Sequence, residues 1–371
     1  MSFGRGYRRP SAALFLPVLV LVALWPRPVP ACTAFLIQQG DELAFGRNMD
    51  WTVGEALVMV NPRGLAKTAY LRPGHSGPPA AAWTSQFGSL TFNQFGREMP
   101  HGGLNEAGLT VALLKLPETA YGPPDERGAV NNLQWVQYQL DTAATVAEVL
   151  ASEGVVRIGG ETAALPQYLV CDQSGACAAV AFLEGRMVCH TGLDLPVKVL
   201  TNSPYPEALA FYRKHQGLGG TFPVPGGDDS LARFMRAANM VAAYHPEAAN
   251  SLVDYAFSTL VYAAGWDTKW SLVYEPAGRK VHFRTFRNQE IRTVDFRALD
   301  FSCAAPALAR PIDAGPAGDV SRAFGTYTTG LNLDLLREVY RKMQQWEDIP
   351  APPEEVLLEM AAYPDQAVCR E

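Results

Sequence analysis

Cys32 stands where a leader ends, so a cut before it would leave a thiol and a free amine on one residue. The thiolate is the reactive form, and an unperturbed thiol with a pKa of about 8.5 is only slightly ionised at neutral pH. A free α-amine titrates at about 7.7–8.0, so it can take the proton from its own side chain, directly or through one water. Nucleophile and base then come from one residue, as with a threonine and its terminal amine. The chemistry this supports is acyl transfer to sulfur, departure of an amine, and release of the acid by water. Three further parts are required: a cation to favour the thiolate, a carboxylate to position the ammonium, and donors facing the developing oxyanion. Each such donor is worth about 3 kcal/mol. Arg47 and Asp50, in Gly46-Arg47-Asn48-Met49-Asp50-Trp51, suit the first two roles. Asn202, where a strand is expected to end in Val199-Leu200-Thr201-Asn202-Ser203-Pro204, suits the third. Taken singly, the Arg–Asp pair also reads as a salt bridge and Asn202 as a turn asparagine.

The residues ahead of Cys32 have the form of an export signal over 1–31. Arg5, Arg8 and Arg9 make a basic head, Ala12 to Trp25 an apolar run too short to span a bilayer, and Val29-x-Ala31 a small-residue cleavage site. Cleavage after Ala31 predicts a periplasmic or secreted protein with no stable membrane insertion. A lipid-anchored envelope protein that binds without catalysis is the competing reading, since lipoproteins also place cysteine after the leader. Pro30 fits that signal poorly. The two readings exclude each other, because lipidation blocks both the sulfur and the amine.

Of 371 residues, 48% are hydrophobic and 18% charged, enough for a sizeable core and unlike a disordered or membranous chain. A formal net charge of −6, with no basic run interleaved with aromatics, argues against a nucleic-acid partner. No Cys-x-x-Cys occurs and the six histidines are scattered, so no metal site is expected. Six cysteines in an exported chain permit disulfides. Cys171 and Cys177 flank the turn Asp172-Gln173-Ser174-Gly175 and could face each other, and Cys303 and Cys369 could tie down the tail. Buried free thiols are the alternative.

The elements that must position these residues begin with a hairpin. Cys32 to Ile37 reads as a strand, Gln38-Gln39-Gly40-Asp41 as a turn, and Glu42 to Arg47 as the returning strand, which carries Arg47 and Asp50 back beside Cys32. Further strands are expected at Leu57–Asn61, Ala69–Leu71, Trp83–Phe92 and Val111–Leu116, the last after a turn at Gly103–Leu109. A meander of four strands is expected from Gln167 to Thr201, and two more strands over Lys269–Glu275 and Lys280–Phe286. Helical spacing marks Asn132–Leu140, Thr145–Leu150 with Thr142 as its cap, Ser230–His245, Ala248–Tyr262, Asp334–Trp346 and Pro353–Tyr363. Ser302 to Asp319, rich in Ala, Pro and Gly, reads as a linker or surface crossing. Strands in two batches with helices between and after predict an α+β fold.

Five motifs in order carry a family resemblance. They are Cys32-Thr33, Gly46-Arg47-Asn48-Met49-Asp50-Trp51, Gly103-Leu104-Asn105-Glu106-x-Gly108-Leu109, Leu200-Thr201-Asn202-Ser203-Pro204 and Arg233-Phe234-x-Arg236. Together they resemble the choloylglycine hydrolase family, which contains bile salt hydrolases and penicillin V acylases, from Cys32 to about Phe286. The resemblance implies a four-layer αββα sandwich of the N-terminal-nucleophile type, with an amidase domain over 32–301. Residues 302–371 would be a linker and helical extension packed on the same domain. It further implies Cys32 as nucleophile and base, Arg47 and Asp50 flanking it, Asn202 as oxyanion donor and Arg233 as a further polar member of the site. Asn105 would hold a hairpin turn. A second oxyanion donor, a backbone amide, falls by alignment on Lys115, where the family has Asn or Tyr. Met49 and Trp51 are expected in an apolar acyl site, with Trp83, Phe87, Phe92 and Phe95 as further candidates. The implied substrate is a small-molecule linear amide with an apolar acyl group: a conjugated bile salt, penicillin V or an N-acyl homoserine lactone. No cofactor is implied. A homo-oligomer is compatible, but the segment between Asn202 and Arg233 is shorter than the one that helps assemble Gram-positive tetramers.

Overall fold

A computed structural model describes residues 1–2, 32–72, 77–159, 165–215 and 220–370; all but the first two residues of the expected leader lie outside them. The chain opens with β1 (Thr33–Gln39) and β2 (Glu42–Asp50), joined through Gly40, whose φ of 55° is in the left-handed region that glycine adopts freely. Then come β3 (Leu57–Asn61), β4 (Ser89–Asn93), β5 (Pro100–Asn105) and β6 (Thr110–Lys115). Two helices follow, α1 (Asn132–Thr142) and α2 (Val146–Ala151). Of the four strands expected to form a meander, β7 (Pro166–Cys171), β8 (Cys177–Leu183) and β9 (Arg186–Thr191) do so, whereas β10 (Val199–Leu200) crosses to the other sheet and pairs with β1. After it lie α3 (Tyr205–Lys214), α4 (Ser230–Ala243) and α5 (Leu252–Ala263). The chain closes with β11 (Thr268–Glu275), β12 (Lys280–Thr285), β13 (Arg292–Asp295), β14 (Leu308–Pro311), α6 (Thr329–Glu347) and α7 (Glu354–Ala362).

Two sheets stack face to face. A seven-stranded sheet runs β10-β1-β2-β11-β12-β13 and ends on Gly318–Asp319; a nine-stranded sheet runs β9-β8-β7-β6-β5-β4-β3-β14 and ends on Gly325–Thr326. Phe92 of the second sheet meets Trp270, Tyr274 and Phe283 of the first, so aromatic side chains fill the space between them. On the outer side of the first sheet α4 lies over β1 and β10, and α5 over β2 and β11; α1 covers β5 and β6 of the second. The result is the expected αββα sandwich.

A second core, including Val111, Leu113, Trp135, Tyr138 and Tyr168, lies under α1 and α2. Alternation along β3 builds a third: Val58 and Val60 face the other sheet, while Leu57 and Met59 face Leu336, Val339 and Met343 of α6. The C-terminal helices therefore extend the second helical layer. The disulfides are Cys171–Cys177, paired across the β7–β8 hairpin, and Cys303–Cys369, which anchors the end of the chain.

Several elements differ from expectation. Residues 302–319 are not only a crossing: β14 pairs with β3, and its closing Pro311 sits where the strand ends. The cap of α2 is Thr145, in a capping box with Glu148; Thr142 belongs to the last turn of α1, its hydroxyl bonded to the Tyr138 carbonyl. α5 starts at Leu252 because Ser251 caps it, and Pro246–Ala248 is a separate turn. The strand expected over 83–92 is broken at Gln86 and Phe87, whose amides bond the Asp141 carbonyl. α3 was not anticipated, although Tyr205, Ala208, Leu209 and Tyr212 form a buried stripe at helical spacing.

Candidate active site

Register brings the motifs together. Thr33 pairs with Asn48 of β2, and Ala34 with Leu200 of β10. Continued outward, these registers set Cys32 between Met49 and Asn202. Its Sγ lies 3.9 Å from the Asp50 carbonyl oxygen and 4.0 Å from Met49 Sδ, and the residue is 6% exposed.

The strand alternation of β2 then sorts its charges onto two faces. Arg47 points between the sheets. Its Nη2 donates to the Leu113 carbonyl at 2.8 Å, its Nη1 to the His101 carbonyl, and Met49 Sδ lies 3.6 Å from Nη2. These partners are neutral, so the guanidinium keeps its charge uncompensated beside the thiol. Gly102 makes room for it: a methyl there would sit 2.7 Å from Nη1 and 2.6 Å from the Val111 carbonyl oxygen. Burial, and after it the Arg47 charge, push the His101 imidazole down to about 3 and keep it neutral.

Asn48 and Asp50 point the other way, toward the helices. Asn48 Nδ2 donates to the Leu260 carbonyl of α5 at 2.8 Å. Asp50 accepts from Arg233 of α4 at Oδ2 and from the Thr268 hydroxyl at Oδ1. Arg233 also reaches Asp267 Oδ1 at 3.4 Å, and its Nε donates to the Asp228 carbonyl at 2.9 Å. Gly265 lies flat against the guanidinium, where any Cβ would collide with Nη2.

Burial dominates the titration of Asp50 and Cys32. It raises Asp50 to about 7, against the opposing pull of Arg233 and Thr268 and with a further push from Asp267. It also raises the Cys32 thiol, as does the Asp50 charge, with Arg47 pulling down. With Ala31 still attached, the sulfur is thus held as a thiol.

Asn202, opposite Cys32 by the continued register, is half-buried, and its Oδ1 has no hydrogen-bond partner, so the carboxamide is not tied into its turn. Lys115 ends β6 with an exposed side chain. Trp51 is half-buried, with ring centroids 5.8 Å from Phe95 and 6.4 Å from His101. Asn105 donates to the carbonyls of Leu140 and Ala143 and accepts from the Leu109 amide, which fixes the β5–β6 turn. Trp83 corrects an expectation: it lies in the core under α1, its Nε1 bonded to Asp141 Oδ2, away from Cys32. Its apolar strand position was the stronger signal. Phe92 is likewise buried between the sheets. Asp267 and Thr268 escaped the sequence reading because only the pairing of β11 with β2 brings them to Asp50. Among the described residues no group of three His, Cys, Asp or Glu side chains could hold a metal.

The stacked sheets between helical layers define the N-terminal-nucleophile hydrolase fold. The family model for linear amide C–N hydrolases, choloylglycine hydrolase family, matches residues 32–261, and the chain belongs to that family. No curated protein matches. Penicillin V acylase from Agrobacterium tumefaciens has a similar structure, at 24% identity and a TM-score of 0.67, covering 80% of this chain and 98% of its own. A mutant conjugated bile acid hydrolase from Clostridium perfringens aligns at 18% identity and a TM-score of 0.63, covering 77% and 98%. At these identities the two structures speak for the fold.

Proposed function

We propose that the protein is exported, cut after Ala31, and hydrolyses linear amides of an apolar acyl group through a thioester on Cys32. The observation that carries this reading is the division of charge about one strand end: Arg47 on the side of the sulfur, and Asp50 with Arg233 on the opposite face. Once Ala31 is gone, the new ammonium has Asp50 within reach, and the amine can accept the thiol proton. The thiolate attacks the amide carbonyl carbon, and Asn202, with the backbone N–H of Lys115, donates to the oxyanion. The C–N bond breaks as the α-ammonium protonates the leaving amine. Water then attacks the thioester, the amine takes its proton, and the acid leaves with Cys32 restored. Met49 and Trp51 would line the acyl side.

Conjugated bile salts, penicillin V and N-acyl homoserine lactones all suit this description, and a panel of them is the test of substrate. The intact mass of the purified protein tests the mechanism. It should begin at unmodified Cys32, and Cys32→Ala should abolish turnover. A diacylglyceryl adduct on Cys32 would instead support the lipid anchor, a reading that the burial of Cys32 argues against.

A further inference from the structure

α6 begins far from Cys32 in sequence, beyond the residues matched by the family model, yet its last residue returns to the loop after β2. The Thr52 hydroxyl donates to the Glu347 carboxylate. One turn earlier Lys342 pairs with Glu55, which Arg287 also holds. Trp51 packs on Phe95, and Phe95 on Tyr340 of α6 at 5.7 Å. The helix is thereby clamped to the segment that starts two residues past Asp50. Beside the clamp a cleft of about 190 Å³ opens between Thr52, Gly54, Lys269, Phe286 and Trp346. Glu347 is half-buried; burial raises its pKa, while the Trp51 side chain and Lys115 favour its ionised form.

We infer that the C-terminal extension completes the substrate site in cis, and that Glu347, set against Lys115, is a specificity-determining residue that disfavours amides bearing a carboxylate or sulfonate. A carboxylate fixed by Thr52 in a half-buried position repels a substrate anion more than a fully solvated one would. Lys115, on an exposed side chain at the end of β6, offsets that repulsion. Each member pushes selectivity in the opposite direction, against a background of Lys269, Arg287 and Asp313 in the adjoining cleft. This inference rests on the amidase reading only for its kinetic readout.

The test uses two amides with one acyl chain, an N-acylglycine and its uncharged N-acylglycinamide. Glu347→Gln is expected to raise the acylglycine/acylglycinamide ratio of kcat/KM about tenfold, mostly through KM, and Lys115→Met to lower it. A purely structural role would move both substrates together and overturn the inference, as would an unchanged ratio. The same ratio is read as Kd by calorimetry in the Cys32→Ala protein, with and without Glu347→Gln. If the wild type cleaves neither amide but the Kd ratio shifts as expected, the amidase reading fails and the selector stands. If neither amide binds, the selector is refuted.

Discussion

Two arginines, both fully buried, flank the same strand end and are treated in opposite ways. Arg47, between the sheets, is met by the backbone carbonyls of His101 and Leu113 and by a thioether. Arg233, between sheet and helix, is met by the carboxylates of Asp50 and Asp267. Carbonyl dipoles hold a cation in place without cancelling its charge, so Arg47 can act on the sulfur. Paired carboxylates neutralise Arg233, which makes it a scaffold for Asp50. One β-strand supplies both environments because its side chains alternate.

The sharpest way to break this contrast is to remove each cation. Arg233→Met leaves two buried carboxylates facing each other and should cost about 3–5 kcal/mol of stability by denaturant unfolding. A second change, Asp267→Asn, should restore part of that loss. Arg47→Met strands only carbonyl acceptors, at about 1–3 kcal/mol each. It should instead show as slower alkylation of Cys32 by iodoacetamide at neutral pH. Asn202→Ala, which touches neither arginine, should lower kcat about 10²–10³-fold with little change in stability.

A pH profile follows from Asp50. Its folded pKa is raised to about 7 from an ordinary value of 3.8, so its contribution to stability is fully present below 3.8 and is lost as pH rises through 7. Activity runs the other way in the cleaved enzyme: the new ammonium beside Asp50 pulls that pKa back down, so kcat/KM should fall with acid only at a pH below the value of about 7 in the uncut chain. Stability curves of wild type and Asp50→Asn between pH 4 and 8 should converge toward the acid end. The smallest expected effect is Gly102→Ala, a loss of about 1–3 kcal/mol from crowding Arg47 and the Val111 carbonyl.

Much of the site was legible because it is local. The turn at Gly40 and the alternation of β2 are enough to return Arg47 and Asp50 to Cys32. What was not legible depends on pairing between distant segments. Asp267 and Thr268 become site residues only through the register of β11 on β2, and Gly102 only through the approach of the other sheet. Glu347 needed the tertiary course of α6. Aromatic residues misled for a different reason: Trp83 and Trp51 are alike as residue types, but one is sealed under α1 and the other stands half open. Composition misled at 302–319, where a short strand ending in proline resembles a linker.

Four of the six cysteines are joined in disulfides, which points to oxidising surroundings. On the proposed mechanism Cys32 has to remain reduced there. Its nearest sulfur is a thioether, which forms no cystine, and the other free cysteine, Cys189, packs against a different core. The chain thus keeps this sulfur out of thiol–disulfide traffic by insulation; on the proposed reading, surroundings that weld the rest of the scaffold would spare the nucleophile.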